Sequence, residues 1–185
     1  YNNYGGIVQA YALTRVLKQM GHDVLLLDQE FKNIPAWKYP LTVAKRTVLK
    51  YLFGKKDIDI FFELRRKSER HIVNQFVQDF IDRHFEKTRS FRTPKQLRDG
   101  IDEYKFEALI VGSDQIWRPK YCFDISSSFL SFARPYTRKI SYAPSFGTSE
   151  KEYNVEQIET CKKLIKDFKA VSVREDSGAI LCQEY

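Results

Sequence analysis

Ala108-Leu109-Ile110-Val111-Gly112-Ser113-Asp114-Gln115-Ile116-Trp117 is the stretch that decides the fold of this 185-residue chain. Four apolar residues in a row that stop on glycine read as a buried strand, which delivers its next side chains to the edge of a sheet. Open α/β sheets bind ligands beyond the carboxyl ends of their strands, so chemistry is expected just after Val111.

Three further segments repeat the arrangement. They are Val24-Leu25-Leu26-Leu27 ending on Asp28, Lys139-Ile140-Ser141-Tyr142-Ala143 before Pro144-Ser145-Phe146-Gly147, and Ala170-Val171-Ser172-Val173 before Arg174-Glu175-Asp176-Ser177. Each is a short β-rich run that ends in a polar or glycine-containing loop, with a helical pattern close by. Four such units predict an α/β fold on one Rossmann-like, doubly wound, mostly parallel sheet.

Between the strands, apolar spacing predicts helices. Val8, Tyr11 or Ala12, Val16 and Met20 form a stripe, with Asn3 placed to cap its start and Gly21 its end. A helix that starts at the glycine loop Asn3-Tyr4-Gly5-Gly6 should follow a first strand, so the chain is expected to be cropped at its N-terminus. The helix that opens at the Arg174 loop is expected to be cut by the C-terminus. Residues 32–107 read as a helix-rich basic segment within this one domain of residues 1–185. There Leu41, Ala44, Val48 and Leu52 fall on one stripe beside Lys45, Arg46, Lys50, Lys55 and Lys56. Two readings stand: a helix that packs its stripe on the sheet and turns its lysines to water, or one that lies on an anionic membrane. Phe62, Phe76, Phe80 and Phe85 read as core or cover residues. Thr93 is placed to cap a short helix over Pro94 to Tyr104, and Ser149-x-x-Glu152 is a capping-box pattern for a helix to about Phe168.

Composition narrows the function classes. With 43% hydrophobic and 30% charged residues the chain is globular in kind. No apolar run reaches the roughly 18 residues that cross a bilayer, and no signal-type leader is visible, so a cytoplasmic location is expected. Cys122, Cys161 and Cys182 lie far apart, without CxxC spacing or a nearby histidine, so neither a metal site nor a disulfide framework is indicated. His22, His71 and His84 are isolated, and no Ser-His-Asp or Cys-His arrangement is visible. A net charge of +7 suits acidic or phosphorylated partners, or simply a solvated basic face. Lysines and aromatics are not interleaved as in a nucleic-acid binder.

At the strand ends, Asn2-Asn3-Tyr4-Gly5-Gly6 offers backbone N–H groups and a helix dipole to an anion. It departs from GxGxxG, which argues against NAD. Ser113, Asp114 and Gln115 can hydrogen-bond a sugar or phosphate, and Trp117 can present a flat face to a sugar ring. Alternatively, Asp114 caps a helix and Trp117 is core. Arg174, beside Glu175 and Asp176, can grip a carboxylate or phosphate in bidentate fashion, or form a local ion pair.

In their order and spacing, Asn3 to Leu13, Leu109 to Trp117, Ile140 to Gly147 and Ser172 to Gly178 resemble the N-terminal half of the polysaccharide pyruvyl transferase family. The resemblance implies one half of a GT-B-like two-domain enzyme. It implies transfer of a pyruvyl group from phosphoenolpyruvate to a pair of sugar hydroxyls, forming a ketal on a bacterial surface polysaccharide or its precursor. Acceptors would be sugar nucleotides or lipid-linked oligosaccharides, handled at the inner face of the cell membrane, with no metal or organic cofactor and no nucleic acid. Arg174 is the expected catalytic clamp. Asn3, Tyr4, Gly5, Gly6, Gln9, Ser113, Asp114, Gln115, Trp117, Ser145 and Glu175 are the expected substrate-binding positions. Further cationic and histidine groups are expected from the other half, so this piece alone is expected to be inactive. The competing expectation is a non-catalytic module that binds an acidic glycan or lipid-linked sugar through its basic face.

Overall fold

A computed structural model describes residues 4–29, 39–51, 76–122 and 124–185. The chain divides into two compact units, Gly5–Phe31 with Glu86–Tyr185, and Tyr1–Tyr4 with Lys32–Phe85.

The larger unit is built on a parallel sheet of three strands, β1 (Ala108–Gly112), β2 (Arg138–Tyr142) and β3 (Phe168–Val171), in the order β1-β2-β3. Ala108 pairs with Arg138 and Gly112 with Tyr142, while β2 and β3 align Ile140 with Ala170 after an irregularity at Lys139. Alternation sends Leu109 and Val111 of β1 into one face, together with Lys139 and Ser141 of β2. Ile110 and Ile140, on the other face, are only half-buried. Lys139 is tolerated inside because its ammonium reaches the Asp167 carboxylate, 3.2 Å away, before β3.

Two apolar clusters form the core of this unit. The first joins Leu109 and Val111 to Phe91, Leu97, Ile101, Leu130 and Phe132. The second gathers Trp117, Ile125, Phe129, Phe146, Cys161 and Leu181, and Ile116 packs against both. Helices supply Leu97, Ile101, Ile125, Cys161 and Leu181 among them. α4 (Pro94–Gly100) starts on the Thr93 cap, whose hydroxyl accepts from the Gln96 N–H, and continues as a 3₁₀ turn over Ile101–Tyr104. α5 (Ile125–Ser128) is capped by Asp124, and α6 (Val155–Ile165) and α7 (Asp176–Glu184) follow β2 and β3.

Several expectations are corrected. The Val24–Leu27 run is no strand of this sheet: it makes only isolated parallel bridges, Leu26 to Lys87 and Gln29 to Phe91. Its ladder is interrupted because the Asp28 N–H is taken by the Thr88 hydroxyl, 3.1 Å away, in place of a backbone carbonyl. Four strand units thus become three, and β3 starts two residues early, at Phe168. The cap of α6 is a reciprocal pair between Asn154 and Gln157, not Ser149 and Glu152, and the helix ends at Ile165.

α1 (Tyr4–Gln19) ends as read. Gly21, at φ +90, closes a Schellman turn in which Gly21 N–H reaches the Lys18 carbonyl and His22 N–H the Leu17 carbonyl. Its start differs, since Gly5 and Gly6 lie in the first helical turn, not in a loop before it; Asn3 is outside the described residues. The stripe Val8, Val16 and Met20 faces out, and Thr14 is the buried position.

In the smaller unit, α2 (Tyr39–Tyr51) and a helix over residues 76–84 (α3) are described. Phe85 and Ile81 are buried, but Phe76 is exposed and so is no cover residue. Leu52, Lys55, Lys56, Phe62 and His71 lie outside the described residues. Among the described residues no helix is long and apolar enough to cross a membrane.

Candidate functional site

The loops after the three strands meet at one edge of the sheet. β1 ends on Gly112 at φ +149, where an added Cβ would collide with the Tyr142 carbonyl of the neighbouring strand. Only glycine lets the chain leave β1 this close to β2. β2 is followed by Ala143 at φ +50, its N–H held by the Ser172 hydroxyl at 2.9 Å. Ser141 and Ser172 then exchange hydrogen bonds, each hydroxyl donating to the other's carbonyl, and carry the β2–β3 ladder past its last backbone pair.

The first two loops are tied by backbone. Ser145 N–H donates to the Asp114 carbonyl at 2.8 Å, and Trp117 N–H to the Ser145 carbonyl at 3.3 Å. Asp114 closes its own turn, its carboxylate accepting the Gln115 N–H at 2.8 Å, and it caps no helix, since the 3₁₀ turn Pro119–Tyr121 starts behind Arg118. The Gln115 side chain lies directly over Gly147, whose φ of +65 and lack of a Cβ make room for it.

Glu175 ties the third loop to the second. Its Oε1 accepts from the Ser145 hydroxyl at 2.6 Å, Phe146 N–H at 3.1 Å and Gly147 N–H at 3.4 Å. Burial alone would raise its pKa, but the Ser145 and Gly147 hydrogen bonds, the Arg174 charge and the Phe146 N–H outweigh it and leave the carboxyl below its ordinary value. Arg174 stands next to this knot. Its Nε donates to Glu175 Oε2 at 3.3 Å and one Nη to the Ser113 carbonyl at 3.2 Å, so the guanidinium spans the first and third loops. The side chain remains 40% exposed. Of the five N–H donors of a guanidinium, the remainder make no hydrogen bond among the described residues.

The expected site residues thus separate. Ser113, Asp114, Gln115, Arg174 and Glu175 converge at this edge with solvent access. Ser145 is fully buried and serves Glu175, so it supports the edge instead of touching a ligand. Trp117 is 0% exposed: its ring stacks on Phe129 at 4.6 Å, takes the edge of Phe146 and donates to the Ser128 carbonyl. With its faces covered, it cannot be a sugar platform. Tyr4, Gly5, Gly6 and Gln9 lie on the first turns of α1.

A second charged cluster escaped sequence reading. Glu152, with a side chain 3% exposed, accepts two hydrogen bonds from Arg118 at 2.9 and 3.1 Å and faces Lys120 at 2.9 Å. The hydrogen bonds from Arg118 and then Lys120 hold its carboxyl down to about 2. It anchors the segment after Trp117, and Tyr153 beside it donates to the Trp117 carbonyl at 2.5 Å. The sequence separation of 34 between Arg118 and Glu152 leaves no local signal for this pair. Among the described residues no group of His, Cys, Asp and Glu is placed to hold a metal ion. Burial raises the pKa of all three cysteines, Cys161 to about 12, which keeps them as thiols.

The family model of polysaccharide pyruvyl transferases matches residues 3–183, nearly the whole chain. The chain belongs to the polysaccharide pyruvyl transferase family. No curated protein and no solved structure matches it.

Proposed function

We propose that the chain forms the N-terminal, Rossmann-like half of a GT-B-like, two-domain cytoplasmic enzyme. That enzyme transfers the pyruvyl group of phosphoenolpyruvate to two hydroxyls of a sugar, in a nucleotide- or lipid-linked precursor of a surface polysaccharide. Membership of the family supports pyruvyl transfer in general. The observation that carries the rest is Arg174, fixed by Ser113 and Glu175 at the carboxyl edge of the sheet with donors to spare.

Protonation of the enol carbon of phosphoenolpyruvate creates an oxocarbenium-like centre. One sugar hydroxyl attacks it, phosphate leaves, and the second hydroxyl closes the ketal, which requires a general acid, a base and cationic clamps. Arg174 fits the clamp for a carboxylate or phosphate, being planar, permanently charged and held in orientation at two points. Glu175 does not fit the general acid, because its hydrogen bonds keep it ionised. Ser113 and Gln115 fit the role of polar contacts to donor or acceptor. The acid and base would come from the other half, so this chain alone is expected to be inactive.

The test is phosphate release from phosphoenolpyruvate by the two-domain enzyme, with nucleotide- and lipid-linked sugars as acceptors. Acceptor-dependent release that Arg174→Ala lowers by about a hundredfold, as loss of one fixed cationic partner of the transition state should, would uphold the reading. Arg174→Lys should not restore it, since an ammonium cannot keep both anchors. Release unaffected by Arg174→Ala would overturn the clamp, and glycan binding without release would favour a non-catalytic module.

A further inference from the structure

α2 presents the wrong face to water for a helix that packs on a core. Leu41 is 67% exposed, Val48 43% and Tyr51 75%, and Pro40 and Ala44 are exposed with them. At 100° per residue these five positions form one continuous face, with exposed Lys45 along its border. Val43, Arg46 and Lys50, on the other side, are half-buried, as is Thr47 at the border next to Pro40.

Charge names what covers this face. Residues 32–85 hold twelve Lys and Arg against six Asp and Glu, a net +6, whereas the whole chain carries +7. Nearly all the excess positive charge therefore belongs to the sequence of the smaller unit, the unit whose α2 exposes the apolar stripe. We propose that this unit docks on an anionic lipid bilayer, with α2 lying in the membrane plane and Leu41, Ala44, Val48 and Tyr51 entering the boundary between headgroups and acyl chains.

Length and chemistry both favour this occupant. Thirteen helical residues reach about 20 Å, short of the roughly 30 Å of a bilayer core, so α2 can lie on a membrane but not cross one. An interfacial helix requires an apolar face, which supplies area, and nearby cations, which meet anionic headgroups. A nucleic acid would require the contact face itself to carry the cations, whereas here it carries Leu, Val, Ala, Pro and Tyr and only Lys45 at its edge. The inference is independent of the transfer reaction, because its readout needs no turnover.

The experiment is sedimentation of the chain with large unilamellar vesicles, equimolar phosphatidylglycerol and phosphatidylcholine against phosphatidylcholine alone, at about 0.1 M salt. Binding should favour the anionic vesicles by about tenfold or more and weaken as salt rises. A Leu41→Asp, Val48→Asp double variant should lose about tenfold or more through lost apolar insertion, and Lys45→Glu about tenfold through charge. Val155→Asp, an equally exposed apolar position on α6, should bind as the unaltered chain does. Circular dichroism checks that each variant stays folded, as exposed substitutions should. Absence of binding to anionic vesicles would overturn the proposal, as would a folded double variant that binds undiminished. So would capture of single-stranded RNA under conditions where vesicles are ignored.

Discussion

Truncating Glu175 to alanine removes the acceptor at the centre of the strand-end edge, and the structure sets the size of the effect. The Ser145 hydroxyl is fully buried and loses its 2.6 Å partner, and Phe146 N–H loses its 3.1 Å partner. Gly147 N–H is less affected, because the Ser145 oxygen already lies 2.8 Å from it. A stranded buried donor costs about 1–3 kcal/mol, and hydrogen bonds to a carboxylate lie at the upper end. The Arg174 ion pair adds little, since both partners are substantially solvated. The expected loss is thus about 3 kcal/mol, or about 6–12 °C in melting temperature for a unit of this size. Urea titration should follow Trp117 fluorescence in a Trp37→Phe background, so that the signal reports on the larger unit alone. Glu175→Gln keeps an acceptor oxygen and should recover most of the loss. A Glu175→Ala change below about 0.5 kcal/mol, or a Gln variant as damaged as the Ala variant, would refute the assignment of Glu175 as the tie between the loops.

Two further perturbations test the same region. Gly112→Ala puts a methyl group into the Tyr142 carbonyl at a backbone angle that alanine resists, and should cost about 3 kcal/mol or more, read as a lower melting temperature or loss of soluble protein. Acid sensitivity should trace to Glu152. Its carboxyl titrates near 2 in the folded chain against an ordinary value of 4.5, so its contribution is full above pH 4.5 and fades as the pH falls toward 2. Glu152→Gln should flatten the loss of stability across that window, while Asp102 and Glu175, also held low, retain a residual slope. An unchanged acid limb would refute the buried pair with Arg118.

β1 and β2 were legible because their apolar or β-branched runs end in residues that only suit a turn, Gly112 and the Ala143-Pro144 step. β3 was misplaced by two residues because Phe168-Lys169 breaks the run that Ala170-Val171 begins. The partner of Leu26 was invisible: Lys87-Thr88-Arg89-Ser90-Phe91 has no apolar run, and its bridges rest partly on a threonine hydroxyl. Helical spacing located α1 but chose the wrong face, since a stripe of Val8, Val16 and Met20 outranks the buried Thr14 on any hydropathy count. Site residues separated by environment, which sequence does not report. Arg174 and Ser113 reach the edge, whereas Trp117 and Ser145, equally prominent in the motifs, are drawn into the packing behind it. The family resemblance rested on these same motifs, of which Ser145, Trp117 and Glu175 serve the scaffold of the edge.

The Glu175 carboxylate has one more consequence. Consecutive N–H groups at Phe146 and Gly147 form a concave backbone cradle of the kind that traps phosphates and carboxylates. Here the protein has placed its own anion in that cradle. An anion bound at this edge, as proposed, would find those amides already taken and would meet the outward donors of Arg174 instead. Selectivity would then follow the preferences of a guanidinium, which rewards planar, two-oxygen groups, over those of a backbone nest, which accepts any small oxyanion.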